Sequence, residues 1–295
     1  MPQSLHRAIR RITRAYPFPT SGDYFNICVG KLTFDRDEPQ WEVTPAYAGH
    51  PAMELNVSTP FQRSIYLFPK AYARQHYEAP LAGYMRSRLA PGDTFMDVGA
   101  NVGYYTLLAA SLVGPTGRAF AFEPDPITFE ALRRSVALNE LAHVTCVNLA
   151  LSNFEGEAEF YRAEATAHSL SAGTATERRF CGAIKVRVTT MAKWLETTDA
   201  PPGNVLMKMD VEGEEVRTTE GMVGVLPRLG YPDIWAEVRG PQGSKRAPNT
   251  FAPMYELLTP LGYRAHRWTG KIGPAIGSGD VIKMEDILFI RSASA

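Results

Sequence analysis

Apolar positions along this chain follow one pattern before about Tyr77 and another after it. Downstream, short apolar runs alternate with stretches of helical period. Thr94–Val98, Arg118–Phe122, Val144–Leu149, Val205–Met209 and Ile234–Val238 read as strands, and Tyr263–Arg267 and Ile287–Ile290 close the chain as strands. Between them Gly103–Leu112, Pro126–Asn139, Glu214–Val225 and Met254–Leu261 read as helices, with a short one at Thr190–Glu196. Pro126 opens its helix, where a missing N–H costs nothing. Glu157–Tyr161 and Ile184–Val188 predict extra strands flanking a loop. Strands alternating with helices imply right-handed βαβ units and a mainly parallel sheet. Such a sheet binds ligands outside the carboxyl ends of its strands. Chemistry is therefore sought in the residues just after each apolar run.

Upstream, residues 17–75 are rich in Pro and aromatics. Tyr24–Val29, Lys31–Phe34, Met53–Val57 and Ser64–Phe68 predict short strands separated by turn residues. Leu5, Ile9, Ile12 and Tyr16 recur at helical spacing, with Arg7, Arg10, Arg11 and Arg14 between them. That pattern predicts an amphipathic helix with a cationic face. It is expected to dock on the domain or on a second subunit of a homodimer; weak contact with an anionic membrane surface is the other use. The expected organisation is an extension over 1–75 and a catalytic-type domain over 76–295.

Composition narrows the classes. Lys plus Arg is 31 and Asp plus Glu is 31, so the charges cancel. A phosphate-tracking nucleic-acid binder carries a basic excess, so no nucleic-acid partner is expected. Cys28, Cys146 and Cys181 lie far apart with no CxxC spacing, which points to reduced thiols and a cytoplasmic location. The basic start lacks the apolar run of a signal peptide. No stretch approaches the ~20 apolar residues of a transmembrane segment.

The first strand of the alternating region runs into Asp97-Val98-Gly99-Ala100-Asn101-Val102-Gly103-Tyr104-Tyr105-Thr106. Its glycines permit a tight turn and close approach of a ligand to the backbone. The helix behind offers free N–H groups and a partial positive charge to a carboxylate. Asp97, before the turn, suits an ammonium group. Glu123 ends the second strand, where a carboxylate accepts both hydroxyls of a ribose. A glycine turn alone is often a mere connection; the turn plus an acid ending the next strand is much more specific. A dinucleotide site wants G-x-G-x-x-G. Here three residues separate Gly99 from Gly103, and Asp97 would repel a pyrophosphate. A zwitterionic methionine end is welcomed instead, so S-adenosyl-methionine fits better than NAD or FAD.

These stretches resemble the FkbM family of S-adenosyl-methionine-dependent methyltransferases. The resemblance rests on PGDTFMDVGANVGYYTLLAA, GRAFAFEPDP with ALRRSVALN, VTCVNLALSNFEG and, most specifically, Lys208-Met209-Asp210-Val211-Glu212-Gly213-Glu214-Glu215. It covers about residues 77–240 and none of 1–75. It implies a seven-stranded Rossmann-like methyltransferase sheet, order 3-2-1-4-5-7-6, with the last strand antiparallel. It places Asp97, Gly99, Asn101, Gly103 and Thr106 along the methionine side of the cofactor and Glu123 on the ribose. Pro124 and Asp125 would flank the ribose, and Ser152 and Asn153 would lie near the adenine. Asn153 stands where many relatives look acidic; its carbonyl can still accept a bond from the adenine amino group.

Asp210 follows the fourth strand, at the mouth of the expected cleft. As a bland alternative it caps the next helix. Glu212 and Glu215 read as first-turn acids complementing that helix dipole. Glu237 sits inside an apolar strand, where an acid is costly unless paired. His168 lies in the small-residue loop 163–182, either a substrate lid or a solvated turn; His266 and Trp268 carry weaker signals. Asp210, Glu237 and His168 are the candidate catalytic residues. They form no recognisable metal-ligand motif, so no metal is assigned and metal-independent base catalysis is favoured. A divalent ion lowering the pKa of a hydroxyl is the other route.

The resemblance implies O-methylation of a small-molecule natural product or a glycan. The alternatives are N- or carboxyl methylation and a non-catalytic cofactor-binding module acting through its N-terminal helix. A nicotinamide oxidoreductase is more distant. A nucleic-acid amino methyltransferase wants an Asn-Pro-Pro-aromatic element, and Pro201-Pro202 lacks both flanks.

Overall fold

The structure, a computed structural model, describes residues 40–44, 46, 49–67, 79–163, 170, 180–199, 201–240 and 249–291. The N-terminal helix, the strands expected at Tyr24–Val29 and Lys31–Phe34, and His168 lie outside the described residues.

Strands β1 (Trp41–Thr44) and β2 (Met53–Asn56) pair antiparallel and lead into helix α1 (Pro60–Leu67). The strand expected at Ser64–Phe68 is thus corrected, since residues 64–67 are helical. So short an apolar run cannot separate period 2 from period 3.6. Buried Arg63 stabilises the helical choice, its guanidinium donating to the carbonyls of Val57 at 3.0 Å and Ser58 at 3.2 Å. Met53, Leu55, Ile65 and Tyr66 pack against Val102, Tyr104 and Ala131 of the main domain.

The main domain runs α2 (Ala79–Arg88), β3 (Thr94–Val98), α3 (Tyr104–Val113), β4 (Arg118–Phe122), α4 (Pro126–Leu138) and β5 (Val144–Val147). A side lobe follows: β6 (Ala150–Leu151), β7 (Gly156–Ala163) and β8 (Phe180–Thr189). Then come α5 (Met191–Trp194), β9 (Val205–Met209), α6 (Glu215–Glu220), β10 (Asp233–Arg239) and α7 (Phe251–Leu258). β11 (Tyr263–Trp268), β12 (Ile272–Ile276) and β13 (Met284–Arg291) end it.

Eight strands form the central sheet in the order β12-β11-β13-β10-β9-β3-β4-β5. β5, β4, β3, β9 and β10 are parallel, and β13 is antiparallel to its neighbours β10 and β11. The expected count of seven is one short. β12 was missed because it carries Pro274 and Gly273, which suit only an edge strand. The expected strand Val144–Leu149 also breaks at Val147. Asn148 turns there, donating to the carbonyls of Glu123 at 2.8 Å and Pro124 at 3.0 Å, and the chain leaves for the β6-β8-β7 lobe.

The expected helix Glu214–Val225 divides into α6 and a 3₁₀ segment, Val223–Leu229. Gly221 explains the division. A Cβ there would lie 2.0 Å from the carbonyl oxygen of Ser152, so the backbones touch at that point. The helix expected to reach Leu261 tightens into 3₁₀ form after Leu258, at Pro260.

Side-chain alternation assigns the two faces. Met96, Val98, Met207 and Met209 point toward α6 and α7, whereas Phe95, Leu206, Trp235 and Leu288 pack with α2 and α3. Asp97, Lys208 and Glu237 share the parity of that second set. Their strands are neighbours, with Asp97 beside Lys208, Lys208 beside Trp235, and Glu237 beside Asp286. Register therefore lays a row of charged side chains across the carboxyl edge of the sheet.

Candidate active site

A cleft of about 400 Å³ opens at that edge, bounded by the turn after β3, the ends of β4, β9 and β10, and the side lobe. Among the sequence candidates, Gly99, Asn101, Glu123, Pro124, Asp210 and Glu237 line it.

The turn has its shape for steric reasons. Gly99 has φ +80°, and a Cβ there would sit 1.9 Å from the carbonyl oxygen of Asp210. Only glycine lets the end of β9 come this close. Gly103, at φ +87°, faces Leu132 of α4, whose Cδ1 would lie 2.4 Å from an added Cβ. Asn101 occupies the left-handed region at φ 52°, its side chain accepting the Val102 N–H at 2.8 Å.

Glu123 holds that turn from below. One carboxylate oxygen accepts the Asn101 N–H and the other the Asp125 N–H, each at 2.8 Å. Each oxygen keeps a lone pair for a further donor. Burial drives the Glu123 carboxyl up to about 8 against the opposing pull of those N–H groups. The folded chain therefore binds this proton more tightly than the unfolded one. Its contribution to stability is full below the unfolded value of 4.5 and is lost as pH rises through about 8. The ribose diol expected at Glu123 from the sequence would donate to the ionised form. Cofactor affinity is therefore expected to rise with pH toward about 8, by at most about tenfold per pH unit, and the slope should vanish in Glu123→Gln. Calorimetric titration between pH 6 and 9 reads it; a flat wild-type profile removes Glu123 from the ribose.

Behind the turn, Asp97 is fully buried. Thr106 Oγ1 donates to its Oδ2 at 2.6 Å, which joins the start of α3 to β3. Its Oδ1 lies 3.5 Å from Lys208 Nζ, and Asp210 Oδ2 lies 3.4 Å from the same ammonium. Lys208 Nζ also donates to the Gly99 carbonyl at 2.8 Å. Lys208 thus stands between Asp97 and Asp210 as their common cation.

Glu237 faces the cleft from β10. Its cross-strand neighbour Asp286 was missed by sequence reading, although an acid leading an apolar strand was a usable signal. Burial, then the nearby Asp210 charge, pushes the Asp286 carboxyl up to about 6. Glu212 pairs with Arg239 at 2.7 Å, and the buried Glu215 accepts the Gly213 N–H at 2.9 Å. Burial raises the Glu215 carboxyl to about 7. Tyr104, Tyr105, Leu170 and Met284 supply apolar wall that sequence reasoning also missed. Their signal was their neighbours' chemistry only, since apolar residues are common everywhere.

Four candidates are engaged elsewhere. Asp97 and Thr106 bond each other, one layer beneath the cleft. Asp125 caps α4 through the Ile127 and Thr128 N–H groups and pairs with Arg162 of β7. Asn153 donates to Glu220 at 2.6 Å. Ser152 is buried, and its Oγ has no hydrogen-bond partner among the described residues. Among those residues no three His, Cys, Asp or Glu side chains are grouped to hold a metal ion. No described helix is long and apolar enough to cross a membrane.

A doubly covered, mostly parallel sheet with a glycine turn after its first central strand and an acid after the next defines a Rossmann-like methyltransferase fold. Residues 97–265 match the family described as Methyltransferase FkbM domain, and the chain belongs to that family. A hexuronic acid methyltransferase, AglP, from Haloferax volcanii is 28% identical over 47% of this chain and 54% of its own length. The 31-O-demethyl-FK506 methyltransferase FkbM of Streptomyces tacrolimicus is 44% identical over 18% of this chain and 20% of its own. The matched region thus spans about half, or less, of these curated relatives. Among solved structures, a methyltransferase FkbM from Methylobacillus flagellatus aligns with 17% identity and TM-score 0.44, covering 90% of this chain and 58% of that one.

Proposed function

We propose that the chain transfers the methyl group of S-adenosyl-methionine to a hydroxyl of a small-molecule natural product or saccharide. The carrying observation is the charged row that sets Asp210 and Glu237 on the cleft beside the glycine turn. Two features fit the cofactor. The glycine turn lines the cleft through Gly99, Asn101 and Val102, and Glu123, also in its lining, keeps acceptor capacity on each carboxylate oxygen. The names of the two curated relatives, one on a hexuronic acid and one on an O-demethyl compound, support the acceptor class.

When bound, the cofactor supplies an already activated sulfonium methyl. The protein then has chiefly to align the acceptor, and positioning alone contributes many orders of magnitude. Glu123 takes the ribose, and the turn 99–103 with the first amides of α3 takes the methionine end. Asp210 orients the cationic end of the cofactor or the acceptor hydroxyl, and Glu237 accepts the hydroxyl proton. The β1–β2 ribbon supports the acceptor side indirectly. His50 contacts the Tyr104 carbonyl at 2.8 Å and stacks on that ring, 4.7 Å between centroids, and Tyr104 lines the cleft.

Purified chain should bind S-adenosyl-homocysteine, ignore NAD, and methylate hydroxyl compounds from a panel of sugars and macrocyclic alcohols. Mass spectrometry reads the product. Methylation of an amine or carboxyl in preference to every hydroxyl tested would replace the O-methyl assignment.

A further inference from the structure

We infer that Lys208 is a positioning residue for the amino-acid end of the cofactor, acting through Asp97 and Asp210 and not by binding the nucleoside. The inference rests on the methyltransferase reading and deepens it. Lys208 is 6% exposed, at the end of an otherwise apolar strand. Burying an ammonium is costly without partners, and here the partners are specific. Nζ donates to the Gly99 carbonyl at 2.8 Å and lies 3.5 Å from Asp97 and 3.4 Å from Asp210. It also stands 5.8 Å from the centroid of the Tyr105 ring, a cleft wall. One cation thus ties the cofactor turn, the acid before it and the acid after β9 into one cluster.

Two consequences follow from the charges. Two carboxylates near one another cannot both ionise readily unless a cation lies between them. By formal charge the Asp97–Lys208–Asp210 cluster holds one acid more than base, an excess of negative charge. That charge suits a ligand end bearing an ammonium and a sulfonium. Lys208 also fixes the Gly99 carbonyl, so the turn and the acids keep their spacing. The adenosine half rests on Glu123, whose carboxyl feels the Lys208 charge only after burial, its two N–H donors and Asp125.

The test separates the two halves of the ligand. S-adenosyl-homocysteine carries the amino-acid end; methylthioadenosine lacks it. The full chain, wild type and Lys208→Gln, is titrated with both by calorimetry from pH 6 to 8. Glutamine can still donate to the Gly99 carbonyl but carries no charge. Lys208→Gln is expected to weaken S-adenosyl-homocysteine at least about tenfold, the scale of a lost charge-assisted contact. Methylthioadenosine should change less than about threefold. The ratio of the two affinities cancels the Glu123 titration, because both ligands carry the ribose, so its fall in Lys208→Gln reads the amino-acid end alone. Equal weakening of both ligands overturns the inference. Should Lys208→Gln not fold, Lys208→Arg keeps the charge and should hold the ratio within about threefold; its loss in folded Lys208→Arg overturns the inference as well. Wild type binding neither ligand would instead remove the cofactor reading itself, and this inference with it.

Discussion

Glu237→Gln is expected to slow methyl transfer about 10²–10⁴-fold at saturating cofactor, the usual contribution of a proton-transfer group. Glutamine keeps the shape and one acceptor oxygen but cannot take a proton. Glu237 lines the cleft on β10, whereas the turn and Glu123 follow β3 and β4, two and three strands away. Affinity for S-adenosyl-homocysteine should therefore change less than about threefold, and the loss should fall on turnover. His168→Ala, made alongside, tests the other base candidate. If neither change slows turnover tenfold, the proton goes elsewhere, and Asp286, with its carboxyl pushed up to about 6, becomes the next residue to substitute. Activity abolished by a chelator and restored by a divalent ion would turn these carboxylates into candidate ligands.

Gly99→Ala should cost about 2–5 kcal/mol of stability and most of the cofactor affinity. Two causes act together. The left-handed backbone at φ +80° costs an L-residue roughly 1–2 kcal/mol. The methyl group would also stand 1.9 Å from the Asp210 carbonyl oxygen, a backbone atom that cannot rotate aside. Relief requires β3 and β9 to part, and overpacking of that kind typically costs about 1–3 kcal/mol more. Gly230→Ala is the control. It is left-handed at φ +68°, with nothing within 4 Å of the added carbon, so only the backbone strain remains. Denaturant unfolding and cofactor titration of both variants decide the matter. A Gly99→Ala protein no less stable than Gly230→Ala would show that the close approach carries no energy.

Much of the site was visible as pattern because its parts are local. The Gly99–Gly103 turn, Glu123 after an apolar run, and the KMDVEGEE stretch are each contiguous in sequence, so their letters can be read before the distant groups they touch are known. Asp125 and Asn153 look the same at this level, yet the structure commits one to a helix cap and Arg162 and the other to Glu220. A carboxylate beside a predicted ligand turn has the same letters whether it faces ligand or backbone. Only the geometry of the surrounding N–H groups distinguishes them.

Periodicity by itself determined the alternation of strand and helix from Thr94 onward, and hence a parallel sheet with its site at the carboxyl edge. Side-chain direction in a strand or helix follows from backbone geometry alone, so the apolar pattern carries it directly. Tertiary structure alone decided which strand ends lie together. Residues 97, 208, 237 and 286 become neighbours through the register of β3, β9, β10 and β13. Register and strand order are set by non-local pairing, to which the local pattern is blind. The same cause hid the break at Gly221, which is decided by contact with the distant carbonyl of Ser152. Lys208 shows both sides: it stands two residues from Asp210 in the sequence, but only the register of β3 and β9 brings Asp97 to it.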